Sequence, residues 1–110
     1  MLDIIYSPER EEVRAEISGE LDHCSAAKLR AAIDLEVMKR VPRVLTIDLS
    51  RLGFMDSSGI GLIIGRYKLV SELGGKVVVE GASPSIAKLL RLAGISRICT
   101  VRSFEGGLKV

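Results

Sequence analysis

Tryptophan is absent from this 110-residue chain and aromatic residues of all kinds make up only 4%. The core must therefore be built from Ile, Leu, Val and Ala. The few aromatics do not lie beside a Lys/Arg cluster, so the stacking platforms of single-strand nucleic-acid binders are missing. An excess charge of one sign is lacking too. The formal net charge is +2, which offers no basic field for a phosphate backbone. No nucleic-acid partner is expected. Long apolar runs are lacking: the longest, Ile60 to Gly65, ends at Arg66 and is far too short to span a bilayer. No membrane association is expected. Cysteine is limited to Cys24 and Cys99, far apart and in no close-spaced pair. With no secretory segment at the start, the expectation is two reduced thiols in a cytoplasmic protein. No set of His, Cys, Asp and Glu has metal-ligand spacing, and no cofactor is implied.

Apolar residues at 47% and charged residues at 27% describe an ordinary globular domain, long enough to bury a core without staples. Residues 1–110 read as one domain. Leu2 to Tyr6 is β-prone, and Ser7 to Glu11 is a polar turn. Glu12 to Ser18 alternates, with Val13, Ala15 and Ile17 on one face, so the chain opens with a β-hairpin; Gly19 is expected to end it. Ser25 is a candidate N-cap for a helix over Ala26 to Arg40, with Leu29, Ala32, Ile33 and Val37 inward and Pro42 beyond its end. Arg43 to Leu49 is apolar enough for a strand covered on both faces. Ser57 to Leu73 is a second helix, with Ile60, Ile63, Ile64 and Tyr67 as the expected inner stripe and Gly74-Gly75 as its stop. Lys76 to Glu80 is a strand. Pro84 opens a third helix running to about Ala93, Gly94 ends it, and Ile98 to Val101 is a last strand. One or two weak helical turns could follow from Ser103. The order β-β-α-β-α-β-α-β(-α) predicts an α/β fold with a mixed, mostly parallel sheet.

Asp22, His23 and Ser58 supply the residue types of a nucleophilic triad. However, His23 is the only histidine and adjoins Asp22 in sequence, a poor geometry for a carboxylate orienting an imidazole. Ser58 also lacks the Gly-x-Ser-x-Gly elbow. His23 reads equally as a solvated loop residue. Gly74-Gly75-Lys76 departs from a phosphate loop at Val70 and Val77. Gly61 and Gly65 form a small-residue pair, expected to let the helix approach its neighbours closely. The segment Phe54-Met55-Asp56-Ser57-Ser58-Gly59-Ile60-Gly61 follows a buried strand and opens a helix. Asp56 or Ser57 can cap that helix. Ser58 then lies at its positive end, where a phosphoryl group is accommodated, with Gly59 and Gly61 expected to leave the hydroxyl uncovered. Local physics permits a phosphosite there and does not require one.

The stretch Leu45-Thr46-Ile47-Asp48-Leu49-Ser50, followed by Phe54 to Gly61, resembles the core of the STAS domain of bacterial anti-sigma factor antagonists. Gly19-Glu20-Leu21-Asp22, Gly65-Arg66-Tyr67-Lys68 and Gly75-Lys76-Val77-Val78-Val79 extend the resemblance over nearly the whole chain. The match is closest to the sporulation-type antagonists. His23-Cys24 stands where the family has a variable loop, and Gly106-Gly107 puts a final helix in doubt. The resemblance implies partner switching. The unphosphorylated antagonist binds an anti-sigma factor serine kinase and frees the sigma factor; phosphorylation releases it; a metal-dependent serine phosphatase resets it. The phosphoacceptor position falls on Ser58, and Asp22 matches a loop aspartate of the family. The domain would be a substrate, performing no catalysis. Partner contacts are expected at Asp22, His23, Asp56, Ser57, Ser58, Gly59, Ile60, Gly61 and Ser83, gathered at the carboxyl ends of the strands. A monomer is expected, since no broad apolar stripe is left over. Other readings are a general-stress antagonist or signalling scaffold on the same fold, a small-ligand or nucleotide-binding module, and a hydrolase. Whether Ser57 can substitute for Ser58 stays open.

Overall fold

A computed structural model describes residues 1–103. Strands β1 (Leu2–Ser7) and β2 (Glu12–Leu21) form the hairpin, joined by a short 3-10 turn at Pro8–Arg10. Then follow α1 (His23–Arg40), β3 (Val44–Met55), α2 (Ser57–Glu72), β4 (Lys76–Ala82), α3 (Pro84–Leu92) and β5 (Thr100–Ser103). The sheet order is β1-β2-β3-β4-β5. β1 runs antiparallel to β2, and every later pairing is parallel. The expected element order and mixed sheet are both present. The turns expected after Ser103 lie outside the described residues.

Parallel strands that follow one another in order require crossovers of one hand, which places α1, α2 and α3 on a single face of the sheet. On that face Val13, Ala15, Leu45, Ile47, Leu49 and Val79 are fully buried, and Ile33, Val37, Ile63 and Val70 of the helices cover them. Burying one such aliphatic side chain stabilises the fold by roughly 1.5–3 kcal/mol.

The opposite face corrects the expectation for the third strand, which is not covered on both sides. The alternation within Leu45 to Ser50 sends Leu45, Ile47 and Leu49 inward and Thr46, Asp48 and Ser50 to the helix-free side. There Arg14 pairs with Glu16, with Asp48 at 2.9 Å, and with Glu80, while Arg102 reaches Glu80 from β5. These side chains share a row because Glu16, Asp48, Glu80 and Arg102 are register partners. Thr46 is buried at 3% exposure, its hydroxyl donating to Glu12 at 2.6 Å.

Burial of Asp48 favours its neutral form. The Ser50 N–H, at 2.9 Å, and the Arg14 guanidinium outweigh that effect and hold the carboxyl below its ordinary value. A depressed folded-state pKa stabilises the fold above the unfolded-chain value, near pH 4. That contribution is lost as pH falls through the folded value. Asp48→Asn should therefore shrink the difference between urea midpoints at pH 7 and pH 3. An unchanged difference would remove Asp48 from the acid response.

Several boundaries differ from the sequence reading, among them the end of β3, which runs to Met55 and not Leu49. Gly19 does not end β2: it sits inside the strand at φ 86°, beside register shifts against β3. This bulge, with a left-handed backbone that glycine tolerates, lets the strand bend and continue to Leu21. At the other end β5 begins at Thr100, because Ile95–Arg97 forms a 3-10 turn that buries Ile95 and Cys99 first. β3 outruns β4: their pairing stops at Asp48 with Glu80, whereas β2 and β3 stay paired to Leu21 and Met55.

Candidate functional site

The β2–β3 ribbon delivers two aspartates side by side. Leu21 and Met55 are register partners, and the Asp56 N–H donates to the Leu21 carbonyl at 3.3 Å. The next residue on each strand caps a helix. Asp22, not Ser25, is the N-cap of α1, so the helix starts three residues before the expected Ala26. The Asp22 Oδ1 accepts from the Ser25 N–H at 3.0 Å, and the Ser25 hydroxyl accepts from the Asp22 N–H at 3.0 Å. This reciprocal capping box satisfies two donors at once, which explains why the serine serves three positions inside the helix. The Ser25 N–H also holds the Asp22 carboxyl below the usual carboxylate range. In α2, Asp56 Oδ1 accepts from the Ser58 N–H at 2.8 Å.

The parallel helix starts set His23 and Ser58 on one open groove of about 440 Å³ between α1 and α2, floored by Leu62 and Arg66. Ser57 is exposed and Ser58 half-buried. Three readings of this segment are corrected. Gly59 does not uncover the hydroxyl; it is buried, and a Cβ there would overlap the Met55 side chain and lie 3.1 Å from Leu21 Cδ2. It lets α2 begin directly on the ribbon. Gly61 and Gly65 do not serve close approach, because a Cβ on either meets nothing within 4 Å; they widen the groove. The inner stripe of α2 is Gly59, Leu62, Ile63, Arg66 and Val70, with Ile60, Ile64 and Tyr67 half-buried at its margins. Of the expected stripe only Ile63 is fully buried, and Arg66, which it did not include, takes an inner position. It is 6% exposed and pairs with Asp34 of α1 at 2.8 Å.

The sequence-derived residues do not all converge. Asp22, His23, Asp56, Ser57, Ser58, Gly59, Ile60 and Gly61 gather where the two helices start. Ser83 caps α3, accepting from the Ile86 N–H at 3.4 Å. Its turn follows β4, whose last pairing with β3 is at Asp48, so the outrunning half of β3 separates it from Ser58. Among the described residues no hydrogen bond joins His23 to Asp22 or Ser58; the Asp22 carboxylate faces its own helix amides. Cys24 is exposed beside His23, whereas Cys99 is buried and its thiol is pushed up to about 11 by that burial. Sequence reasoning passed over Phe54, which is 49% exposed on the ribbon beside Asp56, and Arg30, which faces the groove. The spacing of Arg30, two helical turns after His23, was the available signal.

A mixed sheet with helices on one face, and a serine in the first turn of α2 beside the start of α1, defines an α/β domain of STAS type. The chain matches the STAS domain over residues 9–106 and belongs to that family. It is 37% identical over 89 residues to an anti-sigma F factor antagonist of Paenibacillus polymyxa, covering 81% of this chain and 76% of that one. It is 31% identical over 90 residues to an anti-sigma-B factor antagonist of Listeria monocytogenes, covering 82% and 78%. Its fold superimposes on the Bacillus cell fate determinant SpoIIAA in the phosphorylated form with a TM-score of 0.72 at 27% identity, covering 99% of this chain and 97% of that one. No helix among the described residues is long and apolar enough to cross a membrane.

Proposed function

We propose that this chain is an anti-sigma factor antagonist that switches partners through phosphorylation of Ser58. In this reading the unphosphorylated form binds an anti-sigma factor that is also a serine kinase, and the sigma factor is freed. The kinase then transfers the γ-phosphoryl of a nucleoside triphosphate. The Ser58 Oγ–P bond forms, the bond from the γ-phosphorus to the bridging oxygen breaks, the nucleoside diphosphate leaves, and a kinase base takes the hydroxyl proton. A serine phosphatase resets the switch by hydrolysis to inorganic phosphate.

The observation that carries this is the placement of Ser58. It lies half-buried at the first turn of α2, its N–H on the capping carboxylate of Asp56 at 2.8 Å, on the groove it shares with His23, with Phe54 and Ser57 exposed in the same segment. A partner closing over this segment meets a neutral hydroxyl before transfer. After transfer it meets roughly −1.5 to −2 charges beside two carboxylates, in an interface that must be desolvated. The amides of the first turn accommodate the added charge without a change of fold. The Asp22–Ser25 box and the Asp56–Ser58 contact are on hand to keep both helix starts in place. Antagonists of anti-sigma F and of anti-sigma-B factors are both among the relatives, and the same switch serves either circuit.

The test is phosphate transfer. Wild type and Ser58→Ala are each incubated with source lysate and labelled ATP, and labelled peptides are mapped by mass spectrometry. Label on Ser58 that vanishes in the variant is the expected result. Label confined to Ser57, or none beside an active kinase control, would overturn the assignment.

A further inference from the structure

The groove between α1 and α2 holds a cation that the switch as described does not use. Arg66 is 6% exposed, and its Nε and Nη1, both shut off from solvent, have no hydrogen-bond partner among the described residues. Its Nε lies 2.8 Å from Asp34 Oδ1, which balances one charge. Arg30, exposed one turn before Asp34, adds a second cation to the same groove. The open space above Gly61 and Gly65 leads from these cations to Ser58. A buried guanidinium with unpartnered donors is under-compensated, and an anion in the adjoining groove offsets that through its field.

We infer that the α1–α2 groove is the seat of the phosphoryl group carried by Ser58, drawn in by Arg30 and Arg66. The inference rests on the proposed phosphorylation. Ser58 and Arg66 are about 12 Å apart along the helix axis. Long helical side chains lean toward the N-terminus, which shortens that separation for an arginine that lines the groove. Arg30, exposed and in no ion pair among the described residues, reaches into the same groove from α1. Asp56 on the other side of Ser58 and Asp22 at the start of α1 repel the phosphoryl toward the cations. The anion is supplied by its own tether, so no free ligand has to be captured. Phosphorylation would thereby do more than add charge at Ser58: it would fill the groove and link the two helices that present the partner face.

The test needs no kinase. Full-length chain carrying Ser58→phosphoserine, installed during translation, is titrated by phosphorus NMR, alone and with Arg30→Gln or Gly65→Leu. Arg30 is exposed and a Cβ at position 65 meets open space, so both variants leave the core untouched. His23 also lines the groove, so the series is repeated in His23→Gln. Free phosphoserine titrates near pH 6. The native groove should lower that value by about one unit, tenfold in proton affinity, and either variant should restore it, with His23 present or replaced. Identical titrations in the parent, Arg30→Gln and Gly65→Leu proteins would overturn the inference. Such a result would leave the phosphate-transfer test above unaffected, and failure of phosphate transfer would leave this titration standing.

Discussion

Ser58→Asp should weaken binding to the cognate anti-sigma factor about 100-fold, near 2.7 kcal/mol, while Ser58→Ala binds as tightly as wild type and is not released by ATP. A full reversal from 99:1 bound to 1:99 needs about 5.5 kcal/mol. Aspartate supplies one charge on a shorter arm than a phosphoryl group, so it should produce only part of that. Ser57→Ala is the internal comparison. Ser57 is more exposed than Ser58 but does not line the groove, and its loss should change affinity less than twofold. Titration calorimetry with the purified anti-sigma factor reads all three. If Ser58→Asp binds like wild type, charge at this position does not govern the contact. If Ser57→Ala prevents release by ATP, the phosphoacceptor is the neighbouring serine.

The second large effect concerns stability. Gly75→Val should destabilise the domain by about 3 kcal/mol, a large fraction of the total for a domain of this size. A Cβ at Gly75 would lie 2.6 Å from the Pro42 carbonyl oxygen, 2.9 Å from that of Arg43 and 2.9 Å from Val70 Cγ1. Two of these atoms are backbone and cannot rotate away. They belong to the segment that enters β3, where the Lys76 N–H donates to the Arg43 carbonyl at 2.9 Å. Gly74→Ala should cost only about 1 kcal/mol, because the difficulty there is a left-handed backbone at φ 88° with open space around it. Gly65→Ala, in open space within α2, should stabilise slightly through helix propensity. Chemical denaturation of the three variants reads this ranking. Equal losses at Gly74 and Gly75 would mean that the Pro42 turn yields to the intruding side chain.

These glycines show where reading along the chain stops. Gly74-Gly75 is legible as the end of α2, but the two residues act differently. Gly74 turns the chain, and Gly75 lets it pass the Pro42 turn, a contact between segments more than thirty residues apart. Gly61-Gly65 was legible as a small-residue face; only the placement of α1 shows that this face is an open groove. Gly59, which read as an opening beside the hydroxyl, packs on Met55 and Leu21 because the ribbon bends beneath α2. Arg66 was absent from the expected inner stripe of that helix, since apolar periodicity does not register a buried cation whose partner, Asp34, lies on another helix.

The amino-acid order by itself determined the element sequence, the opening hairpin, the parallel strands and the serine-bearing helix start. Apolar periodicity and capping chemistry are local, and each element here follows its own pattern. The STAS resemblance lay in those same short stretches. Only the tertiary structure decided that one face of the sheet carries helices and the other an Arg14-centred charge row. Only it put Asp22 and Asp56 side by side and set Ser83 apart along β3. Those outcomes depend on the hand of the crossovers and on strand register, which are properties of pairs of segments and are written in neither member alone.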